Sequence, residues 1–150
     1  MTEIEIKIAS DLKQAMLQKD TSKLRTLRAV KAAFTQAKTE KGADKELSED
    51  KALKILQKLL KQRQESKEIF DQQNRTDLAQ KESEEIDIIK NYLPETLSAE
   101  ETEKIVIEIV KETGAESMKD MGKVMKIAGE KLSGRADTKI LADIVKKLLS

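Results

Sequence analysis

With 150 residues, 38% of them apolar, and only five Gly and one Pro, the chain fits one domain or two small subdomains and is composed for folded helix rather than disorder. Twenty-nine Lys and Arg against 28 Asp and Glu leave a net charge of +1, which excludes a global field drawing the molecule onto nucleic acid or an anionic membrane; any polyanion binding must be local. Without Cys or His there is no disulfide framework, thiol nucleophile, imidazole base or zinc ligand of either type, so neither a metal nor a cofactor is expected.

The aromatics are Phe34, Phe70 and Tyr92, so packing falls to Leu, Ile, Val, Ala and Met, as in helix-on-helix cores. Acidic Glu3, Glu5 and Asp11 near the amino terminus do not match a secretory signal, and no apolar run approaches the ~18 residues that span a bilayer. A soluble cytoplasmic protein is expected.

Thr2 and Glu5 have capping-box spacing, and Ile4, Ile8, Leu12 and Ala15/Met16 recur at helical intervals, giving a first helix that ends near Asp20. Thr21 or Ser22 can cap the second, with Leu27, Val30, Phe34 and Ala37 on its inner face and an end around Lys41-Gly42. Arg25, Arg28 and Lys31 make a short basic stripe on it that either faces a phosphate backbone or is a solvated face. Gly42–Leu47 reads as a loop, after which Ser48, Glu49 and Asp50 supply a cap and dipole-favoured acids.

The third helix is long, with Ala52, Leu56, Leu59/Leu60 and Phe70 buried, and with Arg63 and Ser66 on the same stripe where the core thins. Asn74-Arg75-Thr76 is a turn, with Thr76 as the expected cap of a fourth helix whose inner face is Leu78, Glu82, Ile86, Ile89 and Leu93. The acids Glu82, Glu84, Glu85 and Asp87 could serve acid–base chemistry only in a cleft that raises one pKa; at this spacing, interleaved with lysine, they are expected to face solvent. No catalytic residue is assigned.

Pro94 removes a backbone donor and forces Leu93 out of helical geometry, which predicts a boundary between a four-helix part, residues 1–93, and a three-helix part, residues 94–150. Ser98 with Glu101 reads as a second capping box, Ile105/Val106 and Ile109/Val110 form an apolar face, and Thr113-Gly114 ends the fifth helix. Ser117 with Asp120 repeats the capping device. On the sixth helix Met118, Met121, Met125, Ala128 and Leu132 form the expected buried stripe, Lys119, Lys123 and Lys126 a narrow arc on the other side, and Gly122 and Gly129 one flank. Two helical glycines cost roughly 1 kcal/mol each relative to Ala, which predicts close approach by another helix or by a ligand backbone. Ser133-Gly134 closes this helix, Arg135 projects from the turn, and Asp137 caps a seventh helix with a wide apolar face, Ile140, Leu141, Ile144, Val145, Leu148 and Leu149. Arg135 and Lys139 at that helix start are either an anion seat or parts of an efficient αα-turn.

Tyr92-Leu93-Pro94-Glu95-Thr96-Leu97-Ser98, then Thr113-Gly114-Ala115 with Ser117-Met118-Lys119-Asp120-Met121-Gly122-Lys123-Val124-Met125, then Gly134-Arg135-Ala136-Asp137, together resemble the GatB/YqeY domain family, YqeY-like branch. Leu24-Arg25-Thr26-Leu27-Arg28 and Leu60-Lys61-Gln62-Arg63 extend the resemblance over essentially the whole chain, with Thr96 and Thr138 departing from the family's usual glutamine and glycine. The related domain is the tail of the GatB subunit of the tRNA-dependent amidotransferase. The resemblance implies four helices followed by three, the latter associated with tRNA contact, and no inherited catalysis even where such proteins carry a carbon–nitrogen ligase label with glutamine as amide donor.

The expectation is an all-α, non-catalytic tRNA-binding or amidotransferase-related accessory protein. Its candidate contacts are Lys119, Lys123, Lys126, Arg135 and Lys139, with Arg25, Arg28 and Lys31 as a second patch and Gly122, Gly129 and Gly134 as close-approach glycines. Phosphate contacts would dominate, since aromatics to stack unpaired bases are scarce. The alternative is a helical adaptor docking on amidotransferase or another translation protein through apolar edges such as Ile127.

Overall fold

A computed structural model of the chain describes residues 1–40, 42 and 46–150. Among these the fold is all-α, with seven α-helices and one 3₁₀ turn, in two compact units, Met1–Leu93 and Pro94–Ser150.

The first unit holds α1 (Glu3–Gln18), α2 (Thr21–Thr39), α3 (Glu49–Gln72) and α4 (Thr76–Lys90). Both halves of the Thr2–Glu5 capping box form at the start of α1. Lys19 turns into the left-handed region to end it, and Asp20, not Thr21 or Ser22, caps α2 by accepting from the Lys23 amide at 3.1 Å. A carboxylate one residue upstream takes the role, Thr21 becomes helical, and Ser22 donates its hydroxyl to Glu84. The two helices form an antiparallel hairpin whose open end is tied by the Lys38–Glu5 ion pair. Burial alone would raise the Glu5 carboxyl's pKa, but the bond from Lys38 and the Thr2 amide outweigh it and hold it below the usual range.

Ile8, Leu27, Val30, Phe34, Leu47, Ala52, Leu56, Ile89 and Tyr92 form the core of this unit. Each large aliphatic side chain removed from water there contributes about 1.5–3 kcal/mol. Leu47, expected in the loop, is a core residue at 4% exposure; the expected helix end at Lys41-Gly42 falls partly, and residues 43–45 of the Gly42–Leu47 loop wholly, outside the described residues. Along α3 burial is complete at Ala52 and Leu56 and only partial by Arg63, Ser66 and Phe70. Arg75, not Thr76, occupies the cap position of α4 and makes no side-chain cap bond; its guanidinium pairs with Asp77 instead.

The second unit holds α5 (Ala99–Thr113), the 3₁₀ turn (Met118–Asp120), α6 (Met121–Lys131) and α7 (Thr138–Leu149). Ser98 accepts from the Glu101 amide, the forward half of the expected capping box alone, and Gly114 ends α5 at φ +68°. The Ser117–Asp120 box does not form. Ser117 accepts from the Lys119 amide and the Asp120 carboxylate reaches back to the Glu116 amide, closing a tight turn before α6 begins. Three residues per turn instead of 3.6 shift the phase of everything upstream. Met118 is accordingly 42% exposed, and within α6 itself the buried stripe centres on Val124, Ala128 and Leu132, with Met121 and Met125 at its margin. These pack with Val106 and Ile109 of α5 and Leu141, Val145 and Leu149 of α7; Ile127 also leans on this core, and Ile140 is half-exposed.

Candidate functional site

The α6–α7 turn is stitched from both sides. Gly134, at φ +77°, lets the chain reverse, the Arg135 amide donates to the Leu132 carbonyl at 2.9 Å, and the Leu97 amide donates to the Arg135 carbonyl at 2.9 Å. Arg135 is thereby held half-buried, close in sequence to the start of α7. There Asp137 accepts from the Lys139 amide at 2.8 Å, so the expected anion seat is already capped by the chain's own carboxylate. Lys119 in the 3₁₀ turn, Lys123 and Lys126 on α6 and Lys139 on α7 are exposed. None of these four, nor Arg135, has an ion-pair partner among the described residues; in this unit the pair formed is Lys131–Glu112 at 3.6 Å. By helical spacing Glu130 falls within the lysine arc, one turn beyond Lys126.

Charge in this unit is segregated along the chain. Residues 117–150 carry eight Lys and Arg against four Asp and Glu, residues 95–116 two against seven. A net charge near zero therefore conceals an acidic α5 beside a basic 3₁₀ turn, α6 and α7. Among the described residues a Cβ at Gly122 or Gly129 would meet nothing within 4 Å, so no helix of this unit makes the expected close approach there.

In the first unit the stripe Arg25, Arg28 and Lys31 divides. Arg25 donates Nε to Glu85 at 3.0 Å and stands 3.9 Å from Glu84, while Arg63 of α3 meets the other Glu85 oxygen at 3.3 Å. Glu85, expected to face solvent, is buried between two guanidiniums, and Glu82 and Glu84 are half-buried. Burial and the neighbouring Glu85 charge raise the Glu82 carboxyl's pKa against the pull of Arg63 and Arg25, and Glu82 Oε2 has no hydrogen-bond partner among the described residues. Arg63 on the buried stripe of α3 was the sequence signal for this cluster, because a guanidinium at such a position demands a counterion. Tyr92 packs into the core while its hydroxyl donates to Asp11 at 2.5 Å, under the Lys7 ammonium 5.3 Å from the ring centroid. Arg28 and Lys31 remain exposed, without ion-pair partners among the described residues, along a shallow groove of about 610 Å³ that also includes Leu12 of α1.

Comparison with known proteins bears on these observations. A family model described as Yqey-like protein matches residues 5–149. Three curated relatives are each named Altered inheritance of mitochondria protein 41, mitochondrial. The one from Lachancea thermotolerans is 36% identical over 64% of this chain and 51% of its own length. That from Clavispora lusitaniae is 38% identical over 63% of this chain and 54% of its own. The Pyrenophora tritici-repentis protein is 32% identical over 87% and 71%. The chain thus spans about half the length of the first two relatives.

Proposed function

The chain belongs to the Yqey-like protein family, and from that footing we propose that it is a non-catalytic tRNA-binding accessory protein whose contact surface is the cation-rich part of its carboxy-terminal unit. The observation that carries this reading is the set of five cations, Lys119, Lys123, Lys126, Arg135 and Lys139, which form no ion pair among the described residues and lie in residues 117–150, where eight Lys and Arg stand against four Asp and Glu. Unpaired cations, four of them exposed and Arg135 half-buried, suit phosphate contact and release counterions when they bind. With all three aromatics outside residues 94–150, recognition is of backbone and shape rather than of stacked bases. The curated relatives carry mitochondrial in their names; the reading requires only an aqueous compartment holding tRNA, the cytoplasm or the interior of that organelle.

The test is binding of total tRNA at two salt concentrations. Joint reversal of Lys119, Lys123 and Lys126 to Glu is expected to weaken binding at least about tenfold and to reduce the log–log salt slope by about 2–3, since each lost phosphate contact accounts for about 0.9. Unchanged affinity would move the site elsewhere. ATP-dependent amidation by the purified chain would overturn the non-catalytic reading.

A second reading, an adaptor for amidotransferase or another translation protein, is favoured by the half-exposed Met118 and Ile140 near two of these lysines in sequence. Ile127, the edge first expected, leans on the core instead. A partner recovered with the chain after nuclease treatment, and lost on Met118→Asp with Ile140→Asp, would support it.

A further inference from the structure

The α1–α2 hairpin presents a groove that the tRNA reading leaves unused. Leu12 of α1 and Ala32 of α2 give it an apolar floor, and Arg28, Lys31, Thr35 and Thr39 follow along α2 at spacings of three and four, one stripe on one face. Met16, one turn beyond Leu12 on α1, is 56% exposed and extends the apolar strip toward the Arg28 end. From Arg28 to Thr39 the stripe runs roughly 16 Å, about three turns of a helix. Small Ala32 permits the 8–10 Å approach of a third helix axis typical of helix packing.

Charge decides what fits. On α2 Arg25 is taken by Glu84 and Glu85 and Lys38 by Glu5, whereas of the cations lining the groove Arg28 and Lys31, one turn apart at one end, form no ion pair among the described residues. We propose that this groove docks an amphipathic helix of a partner protein whose first turn carries two or more carboxylates. Its acids would meet Arg28 and Lys31, its apolar residues would cover Leu12, Ala32 and Met16, and it would run parallel to α2. That polarity follows because acids are best placed at a helix amino terminus, where the dipole also favours them. An apolar floor with both its free cations at one end suits such a helix better than a nucleic-acid backbone, which asks for cations along the whole track.

Two fluorescein-labelled 14-residue helical peptides of identical composition test this by anisotropy with the full chain. Each has leucines at helical spacing and three glutamates, placed in the first turn of one and in the last turn of the other. The first is expected to bind at least about fivefold tighter, and Arg28→Glu with Lys31→Glu to abolish that preference and raise its Kd at least about tenfold, the scale of two lost charge-assisted contacts. Both positions are exposed, and circular dichroism of the variant is the control for its folding. The Lys119/Lys123/Lys126 reversal is expected to leave peptide binding unchanged, which separates this site from the tRNA surface. Equal binding of the two peptides, no binding of either, or insensitivity to the Arg28/Lys31 reversal would overturn the proposal. Displacement of the peptide by total tRNA that survives the Lys119/Lys123/Lys126 reversal would assign the groove to nucleic acid instead.

Discussion

Glu85 holds a position that its local sequence disguises. In a run of four acids on a helix with lysines it reads as surface, yet it is buried with Arg25 and Arg63 on its two oxygens. The reason is tertiary: α3 and α4 pack side by side, and the guanidinium that α3 carries into their contact can be buried only with a counterion. Removing that guanidinium by Arg63→Met leaves Glu85 with Arg25 alone, and we expect a loss of about 2–3 kcal/mol in denaturant unfolding. A double variant, Arg63→Met with Glu85→Leu, should recover most of this, because an apolar pair of similar volume meets no desolvation cost. Glu82 makes the complementary case. Its folded pKa is raised by burial and by Glu85, so the native state holds this proton more tightly than the unfolded chain does. Its contribution to stability is therefore fully present below the ordinary carboxylate pKa and is lost as pH rises through the raised one. Glu82→Gln, neutral at all pH and able to donate to Glu85, is expected to raise Tm at pH 7 by a few degrees and to remove that part of the pH dependence; melting curves between pH 4 and 7 check both.

Helix existence was legible from periodicity and capping residues, because apolar spacing and side-chain caps are local properties. The exceptions arise where two local devices compete. Asp20 precedes Thr21 and Ser22, all three can cap, and the carboxylate wins the Lys23 amide while Ser22 finds Glu84. Asp20→Ala is then expected to cost about 1 kcal/mol and Thr21→Ala a few tenths, the reverse of what Thr21 as cap would give. At the start of α6 a five-member stripe from Met118 to Leu132 looked continuous in sequence, but the 3₁₀ turn puts Met118 out of phase with the rest, and within α6 the buried line runs through Val124, Ala128 and Leu132. Met118→Ala should change stability by less than about 0.5 kcal/mol, whereas Leu132→Ala, which empties a site in the second core, should cost about 2–5 kcal/mol. Equal costs would mean that the helical phase runs unbroken through residues 118–120. Of the candidate site, the cations themselves were legible. Which of them the fold neutralises was not, because Arg25 and its partners Glu84 and Glu85 lie about 60 positions apart.

Across the whole molecule a formal charge of +1 provides no long-range attraction for a polyanion, yet the carboxy-terminal unit combines an acidic α5 with a basic 3₁₀ turn, α6 and α7. Helix α5 shares a core with α6 and α7, and packed helices lie with their axes about 8–10 Å apart, so charges on neighbouring helices interact at about 10 Å or more. At that separation two unit charges in water interact by about 0.4 kcal/mol, and a Debye length of about 10 Å at 0.1 M salt removes much of it. If the cations of residues 117–150 meet tRNA, the α5 acids oppose that encounter through space without touching the ligand. Glu103→Gln with Glu108→Gln isolates this effect, since both positions lie outside the first turn of α5 and neither pairs with Lys131. The double variant is expected to bind total tRNA about two- to fivefold tighter at 20 mM salt and indistinguishably from the parent at 0.5 M, where the Debye length is only a few ångströms. Loss of the three lysines differs in kind, because contact removal lowers the salt slope itself. A gain in affinity that persists at 0.5 M would place α5 in direct contact with the ligand, and no gain at low salt would place the tRNA surface away from α6 and α7.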